Sequence, residues 1–326
     1  MLQIYCFNVG DGDAELLQWK RPGKEDFNIL VDSGRIVLDQ NPASKRAVAT
    51  EHLKELHIDH LDAAVITHLH IDHMGGMLDV LRKMPVKKLI VPYIPKGRIT
   101  AFPEAQEDDP FRIKWSEFCM VCDRWQQTVA YARAHGTVVV TAWEEPVLEE
   151  GELRMEQILP HADLGGQMAF FDGFYGEDGP VDRSDWLVPH AWHDFSKQKN
   201  AHSLMEWITY KGRRILLAGD RYAATFEDWS YGPCDLIKMP HHGDPRSMTQ
   251  TLLDRLDPAY AIVSCQLDPR LNKDRPCEPV VRMLQQKGTQ LYCTENRQLP
   301  SLQPTVSRRI CAAIDDDGQM TVEAQA

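Results

Sequence analysis

The sequence predicts an α/β fold, chiefly because strand-like and helix-like segments alternate along its first half. Apolar and polar residues alternate in MLQIYCFNVG, and the apolar runs FNILVDSG and DAAVIT end at polar residues, as buried strands do. Residues 44–57, 75–84 and 111–136 carry apolar side chains at helical spacing, and KKLIVPYI and TVVVTAW follow as strands. Strands and helices in this order are typical of an α/β domain.

The second half adds strands and two hairpins. ELRMEQILP is strand-like, and SLMEWITYKGRRILLAGD predicts a hairpin that turns at Lys211 and Gly212. CDLIKMPHHG predicts a strand that runs into two histidines. AYAIVSC and QLYCT are further strands on either side of a helix near CEPVVRMLQQKG, and residues 308–324 are predicted to form a terminal hairpin.

Residues 161–199 show neither a helical nor a strand pattern, since Gly, Asp, Phe and Trp follow one another without a clear period. We expect an irregular insertion or lid here, within a single domain that spans residues 1–326. Its aromatic residues either pack the loop, which is the commoner use, or face a substrate and stack on bases. They are Phe170, Phe171, Phe174, Tyr175, Trp186 and Trp192.

Composition is that of an ordinary globular protein, with 43% hydrophobic and 26% charged residues. No apolar run approaches the roughly 18 to 20 residues that cross a bilayer, and the N-terminus does not resemble a secretion signal. Eight scattered cysteines suit a reducing compartment, so we expect a cytoplasmic protein without a membrane partner. Cys119 and Cys122 lie in a helical pattern and are expected to be buried thiols rather than a redox or zinc motif.

The formal net charge of −12 argues against a protein that attracts polyanions at long range. No basic stripe supplies the affinity that nucleic-acid binding draws from phosphate contacts. A nucleic-acid substrate would therefore have to be held locally, for example by metal ions.

The pentapeptide LHIDH occurs twice between residues 56 and 73, and its second copy has the surroundings of a metal site. His68, His70, Asp72 and His73 follow a buried strand and precede a helix, so a tight loop carries three imidazoles and a carboxylate. Zinc and manganese take such ligands. In the first copy Glu55 stands where His68 would be, and the copy closes a helix, so we expect His57 and His60 to be surface residues.

Two later strands end in residues that could complete the site. Asp220 follows RRILLAG, and a carboxylate there could bridge two cations about 3.5 to 4 Å apart. His241 and His242 follow DLIKMP. We expect His241 to be the ligand and His242 to contact the substrate or the leaving group.

The motifs LVDSG, THLHIDHMGG, AGD and PHHG come in the order found in the metallo-β-lactamase fold. More narrowly, NVGDGDAELL, NAHSLMEWITYKGRRILLAGD and IKMPHHG resemble the hydrolase domain of ComEC competence proteins and its stand-alone soluble relatives. The resemblance spans about residues 3 to 295. It implies a four-layer αββα sandwich, two mixed sheets flanked by helices, with metals at one edge.

The resemblance also implies roles for particular residues. It assigns His68 and His70 to one metal, Asp72 and His73 to the other, Asp220 to both and His241 to the second metal. Asp32 would not bind a metal itself but would fix the orientation of one of the ligands. Asp72 and His242 are the candidates for direct participation in catalysis.

One ligand of the usual superfamily set has no clear counterpart. His202 could supply it, with His190 and His193 as further candidates, or Asn200 and Ser203 could contact substrate while His202 does not take part. The first loop also departs from the subfamily pattern D-V-G-Q-G-D, because Asn8 and Asp11 replace the first Asp and the Gln. A metal or base role for Asn8 is therefore in doubt, and Asp13 of the same loop is a candidate for orienting ligands or contacting substrate.

The function implied is that of a dinuclear metal-dependent hydrolase in which two divalent cations, zinc favoured over manganese, activate a shared bridging hydroxide. A phosphodiester, in a nucleic acid or a smaller ester, is the favoured substrate. A carboxylic ester, lactone or thioester hydrolase of the same superfamily is the first alternative. A non-catalytic metal-binding scaffold or sensor is the second.

Overall fold

A computed structural model describes the chain apart from residues 39–40, 42, 105–111, 161–163, 186–198, 227–229, 267–274, 297–298, 300 and 304. The strands are β1 (Leu2–Phe7), β2 (Glu15–Trp19), β3 (Phe27–Val31), β4 (Leu61–Val65), β5 (Val86–Val91), β6 (Gly97–Ala101), β7 (Val138–Thr141), β8 (Val147–Glu150), β9 (Leu153–Ile158), β10 (Gly179–Asp182), β11 (Met205–Tyr210), β12 (Arg213–Leu217), β13 (Leu236–Lys238), β14 (Tyr260–Val263), β15 (Gln290–Cys293), β16 (Arg309–Ile314) and β17 (Met320–Gln325). The helices are α1 (Ala49–Glu55), α2 (Ile71–Met74), α3 (Met77–Lys83), α4 (Arg112–Ala134), α5 (Leu164–Tyr175), α6 (Gln250–Leu256) and α7 (Glu278–Lys287).

Two large mixed sheets form the centre of the molecule. The first sheet has the order β17-β16-β1-β2-β3-β4-β5-β7, and it is antiparallel up to β3 and parallel beyond it. The second sheet has the order β15-β14-β13-β12-β11-β9-β8, with parallel pairing from β12 to β15. Strands β6 and β10 form a separate parallel pair.

Three apolar cores separate four layers. Along β1, Ile4 and Cys6 pack between the two sheets, whereas Tyr5 and Phe7 pack on the opposite face against the first group of helices. This alternation follows from the two-residue period of a strand. On the far side of the second sheet, Leu252 and Leu284 of helices α6 and α7 complete the third core. The predicted four-layer αββα sandwich is confirmed.

Both predicted hairpins are present. Strands β11 and β12 pair antiparallel across Lys211 and Gly212, whose φ angles of 50° and 77° give the turn that suits twisted strands. Strands β16 and β17 close the first sheet. All eight cysteines are buried and free, and Cys119 and Cys122 lie in α4 as expected.

The segment expected to be irregular contains ordered structure in its described part. Helix α5 and strand β10 lie within it. Phe171 and Phe174 are fully buried, and Phe174 packs against Trp115 and Phe118 of α4, so these aromatic residues form core rather than a lid. Trp186, Trp192, His190 and His193 lie outside the described residues.

The carboxyl ends of the central parallel strands meet at one edge of the sandwich. Asp32 follows β3, His68 follows β4, Asp220 follows β12 and His241 follows β13. Ligands of α/β proteins commonly bind at this end of a sheet. Within the described part of the chain, no helix is both apolar enough and long enough to span a bilayer.

Candidate metal centre

Asp220 lies at the centre of the histidine cluster. Its side chain is 3% exposed, and each of its two oxygens faces two imidazoles. Oδ2 lies 3.8 Å from Nε2 of both His68 and His241, and Oδ1 lies 3.3 Å from His73 Nε2 and 3.6 Å from His242 Nε2. The carboxylate therefore separates the imidazoles into two pairs.

The backbone before Asp220 is shaped for this position. Gly219 has a φ of 48°, and a Cβ there would lie 2.3 Å from Ser203 Oγ. Glycine alone adopts this conformation without strain and leaves room for the contact. The Asp220 amide donates a hydrogen bond to the same Ser203 oxygen at 3.3 Å, which fixes the start of the turn.

Asp32 orients two of the imidazoles. It accepts hydrogen bonds from the Thr67 amide at 2.9 Å and the Thr67 hydroxyl at 2.6 Å, and its Oδ2 lies 2.7 Å from His73 Nδ1. A carboxylate only accepts, so His73 carries its proton on Nδ1 and its Nε2 is left for an ion. Because Thr67 gives its own proton to Asp32, its oxygen accepts from His68 Nδ1 at 3.0 Å, which directs His68 Nε2 towards the cluster.

The other two imidazoles are held in the same way. His241 Nδ1 lies 2.7 Å from Asp244 Oδ2, and His242 Nδ1 lies 3.1 Å from the Ser264 carbonyl oxygen. His241 and His242 have φ angles of 47° and 56°, in the left-handed region that non-glycine residues rarely adopt. Nδ1 of each is thus held by an acceptor while Nε2 turns towards Asp220.

His70 and Asp72 complete the two halves of the cluster. His70 Nδ1 lies 2.8 Å from His68 Nε2, and these two residues with Asp220 form a group whose ligand atoms all lie within 4.8 Å of one another. Asp72, His73 and His242 form a second such group. It is thus His242, rather than the expected His241, that is grouped with Asp72 and His73.

Burial and neighbouring side chains shift the pKa values of several groups in the cluster. Burial alone would raise the pKa of Asp220, but the neighbouring imidazoles of His73 and His242 outweigh it and hold that pKa well below its usual value. Burial would likewise lower the pKa of His73, but Asp220 and Asp32 raise it well above its usual value. Burial, with repulsion from His73 and His70, lowers the pKa of His68. Burial lowers the pKa of His242 to about 4, so this imidazole is neutral near pH 7.

The residues present fit a divalent metal. His73 Nε2, His242 Nε2 and Asp220 Oδ1 are buried and have no hydrogen-bond partner in the structure. Buried polar atoms left unpaired are costly unless something satisfies them, and here they converge on one point. Neutral imidazole nitrogens and carboxylate oxygens are the donor set that zinc and manganese accept.

The third-motif residues lie beside the cluster but are not all directed at it. Ser203 Oγ lies 3.3 Å from His68 Nδ1, and the Asn200 amide donates to the Tyr222 hydroxyl at 3.2 Å. His202 is buried but belongs to none of the groups of prospective metal ligands found among the described residues. The first-copy histidines lie elsewhere, with His57 exposed and His60 Nδ1 2.7 Å from Asp59.

In the loop between β1 and β2, Asn8 and Asp13 have different partners. The Asn8 amide donates to the Ser307 carbonyl at 2.8 Å, and its Oδ1 accepts from the Gly10 amide at 3.4 Å, so its side chain secures backbone rather than the cluster. Asp13, in contrast, has Oδ1 3.5 Å from His242 Nδ1 and Oδ2 3.9 Å from His73 Nδ1.

Sequence reasoning missed two residues that support the cluster. Asp244 stands behind His241, and the signal for it was its position directly after PHHG. Lys238 is buried at the end of β13 and is ion-paired with Asp13. A lysine at a strand end ordinarily faces solvent, so nothing local in the sequence indicated its burial.

A protein-family comparison supports this description. Residues 18–148 match the family model described as the metallo-beta-lactamase superfamily. This segment of the chain is thus similar to the metallo-beta-lactamase superfamily. The match includes the loop from His68 to His73, whereas Asp220 and the pair His241 and His242 lie beyond it.

Several known proteins are similar to the chain. ComE operon protein 3 of Bacillus subtilis (strain 168) is 24% identical over 306 residues, which cover 90% of this chain and 32% of that protein. The chain thus spans about a third of its curated relative. Among solved structures, the metallo-beta-lactamase fold protein YhfI from Bacillus subtilis (9% identity, 90% of this chain, 96% of that one) and Zn(2+)-bound PqqB from Methylobacterium extorquens (9% identity, 90% and 98%) each have a TM-score of 0.44. The His and Asp cluster among the described residues could hold a divalent metal ion.

Proposed function

We propose that this protein is a dinuclear metal-dependent hydrolase that prefers phosphodiesters. One observation carries the proposal. The four imidazoles of His68, His73, His241 and His242 each have Nδ1 beside a hydrogen-bond acceptor and Nε2 within 3.3 to 3.8 Å of Asp220. A single carboxylate shared by two pairs of imidazoles suits a bridging ligand between two cations.

The proposed ligand sets follow from these distances. One ion would be held by His68, His70, His241 and Oδ2 of Asp220, and the other by Asp72, His73, His242 and Oδ1 of Asp220. When bound, two divalent ions polarise the scissile group and lower the pKa of a coordinated water towards about 7. The histidine-rich donor set favours zinc, and the carboxylates would also accept manganese.

The surrounding residues would fix the orientation of the ligands. Asp32 and Asp244 hold the protons of His73 and His241 on Nδ1, which directs Nε2 inward and raises the basicity of each ligand. His242 has Nδ1 at the Ser264 carbonyl and Nε2 towards Asp220, so no nitrogen is left for protonating a leaving group. We therefore propose His242 as a ligand rather than as the acid expected from the sequence.

Two arginines near the cluster favour an anionic substrate. Arg35 Nη2 lies 4.0 Å from Asp72 Oδ2, and its side chain is 36% exposed. Arg246 lies on the His241 side, 3.2 Å from Asp244, and its guanidinium stacks over the Tyr222 ring at 4.1 Å. Guanidinium groups recognise phosphate oxygens well. The resemblance of the sequence motifs to ComEC-type hydrolase domains also favours a phosphodiester, in a nucleic acid or a smaller ester.

A substrate panel tests the proposal. The protein would be loaded with zinc or manganese, and its metal content measured alongside hydrolysis of bis(p-nitrophenyl) phosphate, p-nitrophenyl acetate, a lactone and a thioester. We expect two metal equivalents and preferential cleavage of the phosphodiester. Turnover confined to the carboxylic ester, lactone or thioester would replace the phosphodiesterase assignment, and full metal occupancy without any turnover would indicate a scaffold or sensor.

Arg35 provides a sharper test of substrate charge. Arg35→Ala should raise KM for bis(p-nitrophenyl) phosphate about tenfold, because a guanidinium near Asp72 is lost, and should leave KM for neutral p-nitrophenyl acetate unchanged. Arg82→Ala, an exposed arginine beyond the cluster, is the control and should alter neither value. Equal effects of Arg35→Ala on both substrates would count against recognition of phosphate.

We further propose a reducing compartment such as the cytoplasm, in keeping with eight free cysteines.

A further inference from the structure

Lys238 is a cation enclosed between the two sheets. Along β13, Leu236 packs between the sheets and Ile237 packs on the outer core, so the alternation of a strand directs Lys238 inward again. Its side chain is 2% exposed, and its ammonium donates to Asp13 Oδ2. A lysine is almost never this deeply buried unless it is paired. Burying it therefore requires that Asp13 be charged and in place.

Asp13 stands behind two imidazoles of the cluster. His73 and His242 direct Nε2 towards Asp220, and their Nδ1 atoms lie 3.9 and 3.5 Å from the two Asp13 oxygens. The Asp13 oxygen nearer His242, Oδ1, is buried and has no hydrogen-bond partner. The carboxylate is therefore available as an acceptor for the His242 Nδ1 proton, beside the Ser264 carbonyl.

Hydrogen bonds fix the backbone of Asp13, so only the position of its side chain depends on Lys238. The Asp13 amide donates to the Asp72 carbonyl at 3.1 Å, and the Asp13 carbonyl accepts from the Gly34 amide at 2.8 Å. Asp13 also forms a group with His73 and Asp220 whose ligand atoms lie within 4.8 Å of one another. A freely rotating Asp13 could thus turn towards an ion, whereas the Lys238 ammonium keeps its Oδ2 engaged away from it.

Other buried carboxyl groups do not compete for Lys238. Glu15 and Glu206 are buried, and burial together with neighbouring carboxylates raises the pKa of both well above the usual value. A raised pKa favours the neutral form of both groups, and Asp13 is the carboxylate that the Lys238 ammonium contacts. Removing Lys238 alone would leave an uncompensated charge in the core.

We propose that Lys238 is a positioning residue for the metal centre. It holds the Asp13 carboxylate behind His242 and His73, so that Asp13 fixes these ligands instead of binding an ion itself. The inference rests on the proposed metal site, and it assigns Lys238 a role beyond filling the core. Outer partners of metal-binding histidines typically contribute 10- to 100-fold in metal affinity.

Three variants separate positioning from folding. Lys238→Met removes the cation, and the double variant Asp13→Asn/Lys238→Met replaces the buried ion pair with two neutral side chains. Lys88→Met is the control, because Lys88 is a half-buried lysine whose ion pair with Glu145 lies away from the cluster. For each variant, resistance to urea and affinity for the second zinc equivalent would be measured, the latter by competition with a chromophoric chelator.

We expect Lys238→Met to lose both stability and metal affinity. The double variant should recover most of the stability, since no charge is left unpaired, but should still bind the second zinc 10- to 100-fold more weakly. The control should retain wild-type affinity. Recovery of wild-type affinity in the double variant would overturn the proposal, because the pair would then serve folding alone.

A measurement without metal keeps the inference distinct from the proposed function. In metal-free protein labelled with ¹⁵N-histidine, the imidazole N–H signals of His242 and His73 report directly on their Nδ1 partners. We expect these signals to shift in the double variant and to be unchanged in Lys88→Met. If the signals of the double variant do not shift, the role of Lys238 is overturned, even when the wild-type protein binds zinc. If they shift but the wild-type protein binds no zinc, only the metal site is refuted.

Discussion

At the scale of single residues, the cluster depends on which nitrogen of each histidine is held. Asp32, Thr67 and the Ser264 carbonyl each hydrogen-bond to an Nδ1 atom, and Asp244 lies 2.7 Å from His241 Nδ1. The Nε2 atoms of these four histidines lie 3.3 to 3.8 Å from Asp220. Thr67 and Asp244 are near their histidines in the chain, whereas the fold brings Asp32 to His73 and Ser264 to His242, and such contacts orient the side chains.

The choice between the two LHIDH copies leads to a direct mutational prediction. His68→Ala or Asp220→Asn should remove bound metal and reduce hydrolysis at least a hundredfold, because each deletes a ligand atom at the centre of the cluster. His57→Ala and His60→Ala should leave metal content and activity unchanged, since neither residue approaches Asp220. Metal loss in the His60 variant would mean that the wrong copy was chosen.

The division of the histidine pair makes a second prediction. His242→Ala should lower the metal content by one equivalent, and Asp72→Ala should remove the same equivalent, because both side chains lie with His73. His241→Ala should instead weaken the ion beside His68. Measuring the metal content of the single variants and of the combined variant tests this. If His242→Ala and Asp72→Ala each removed a different metal equivalent, so that their losses added in the combined variant, the prediction would be contradicted.

The grouping of the proposed ligands in the loop after β4 could be predicted from the sequence, but the roles of the two histidines after β13 could not. His68, His70, Asp72 and His73 are close because they share one short turn. The assignment of His241 and His242 depends on two consecutive left-handed residues that turn neighbouring rings apart. No local pattern specifies such strained backbone, which is typical of functional sites.

At the scale of secondary structure, the site is built where strands end and loops come into close contact. The loop before β2 approaches the start of α2 so closely that a Cβ on Gly12 would lie 2.1 Å from the Asp72 carbonyl oxygen. This contact joins the Asp13 loop to the loop that carries His68 to His73. Glycine at this position is therefore part of the site geometry.

Replacing that glycine tests the contact. Gly12→Ala should displace Asp72, lower stability by about 1–3 kcal/mol through overpacking, and reduce the affinity for one metal equivalent. Gly173→Ala is the matched control, because its added Cβ would meet nothing within 4 Å on helix α5 and should be neutral or slightly stabilising. Urea unfolding and zinc titration give both quantities, and a Gly12→Ala protein with wild-type metal affinity would contradict the expected displacement.

Helix α5 shows why one element escaped prediction. Its sequence LGGQMAFFDGFY holds three glycines, which are poor helix formers and interrupt the apolar period. Burial of Phe171, Phe174 and Tyr175 against α4 and Tyr93 supplies the stability that local preference lacks. Tertiary packing of this kind cannot be inferred from a single segment.

At the scale of the whole molecule, the order of strands and helices was enough to predict an α/β domain, and the resemblance of the motifs implied the four-layer sandwich. Alternating burial along strands such as β1 divides their side chains between two cores, and the motifs at strand ends indicated the edge that carries the site. The buried ionisable groups between the sheets could not be foreseen, because Lys238, Glu206 and the pair Asp13 and Glu15 come from three separate parts of the chain.

Acid stability of the fold should depend on one buried histidine outside the site. His52 is buried, stacks on Phe7 at 4.5 Å and has a pKa that burial lowers to about 3 from 6.5. The unfolded chain therefore takes up this proton first as the pH falls. Its contribution to stability is fully present above pH 6.5 and is lost between pH 6.5 and 3, at about 1.4 kcal/mol per pKa unit.

His52→Gln should accordingly flatten the acid limb of the stability curve by a few kcal/mol, although it also loses the stacking on Phe7 at neutral pH. The exposed residue His135 gives the control, and His135→Gln should leave the acid limb unchanged. Urea unfolding between pH 8 and 4 measures both, and an unchanged slope in His52→Gln would show that other groups govern acid unfolding.

Anomalous diffraction from crystals grown with zinc or manganese tests the central claim most directly. We predict two anomalous peaks about 3.5 to 4 Å apart, one beside His68 and His70 and the other beside Asp72, His73 and His242, with Asp220 bound to both. A single peak, or two peaks that Asp220 does not bridge, would contradict a dinuclear centre.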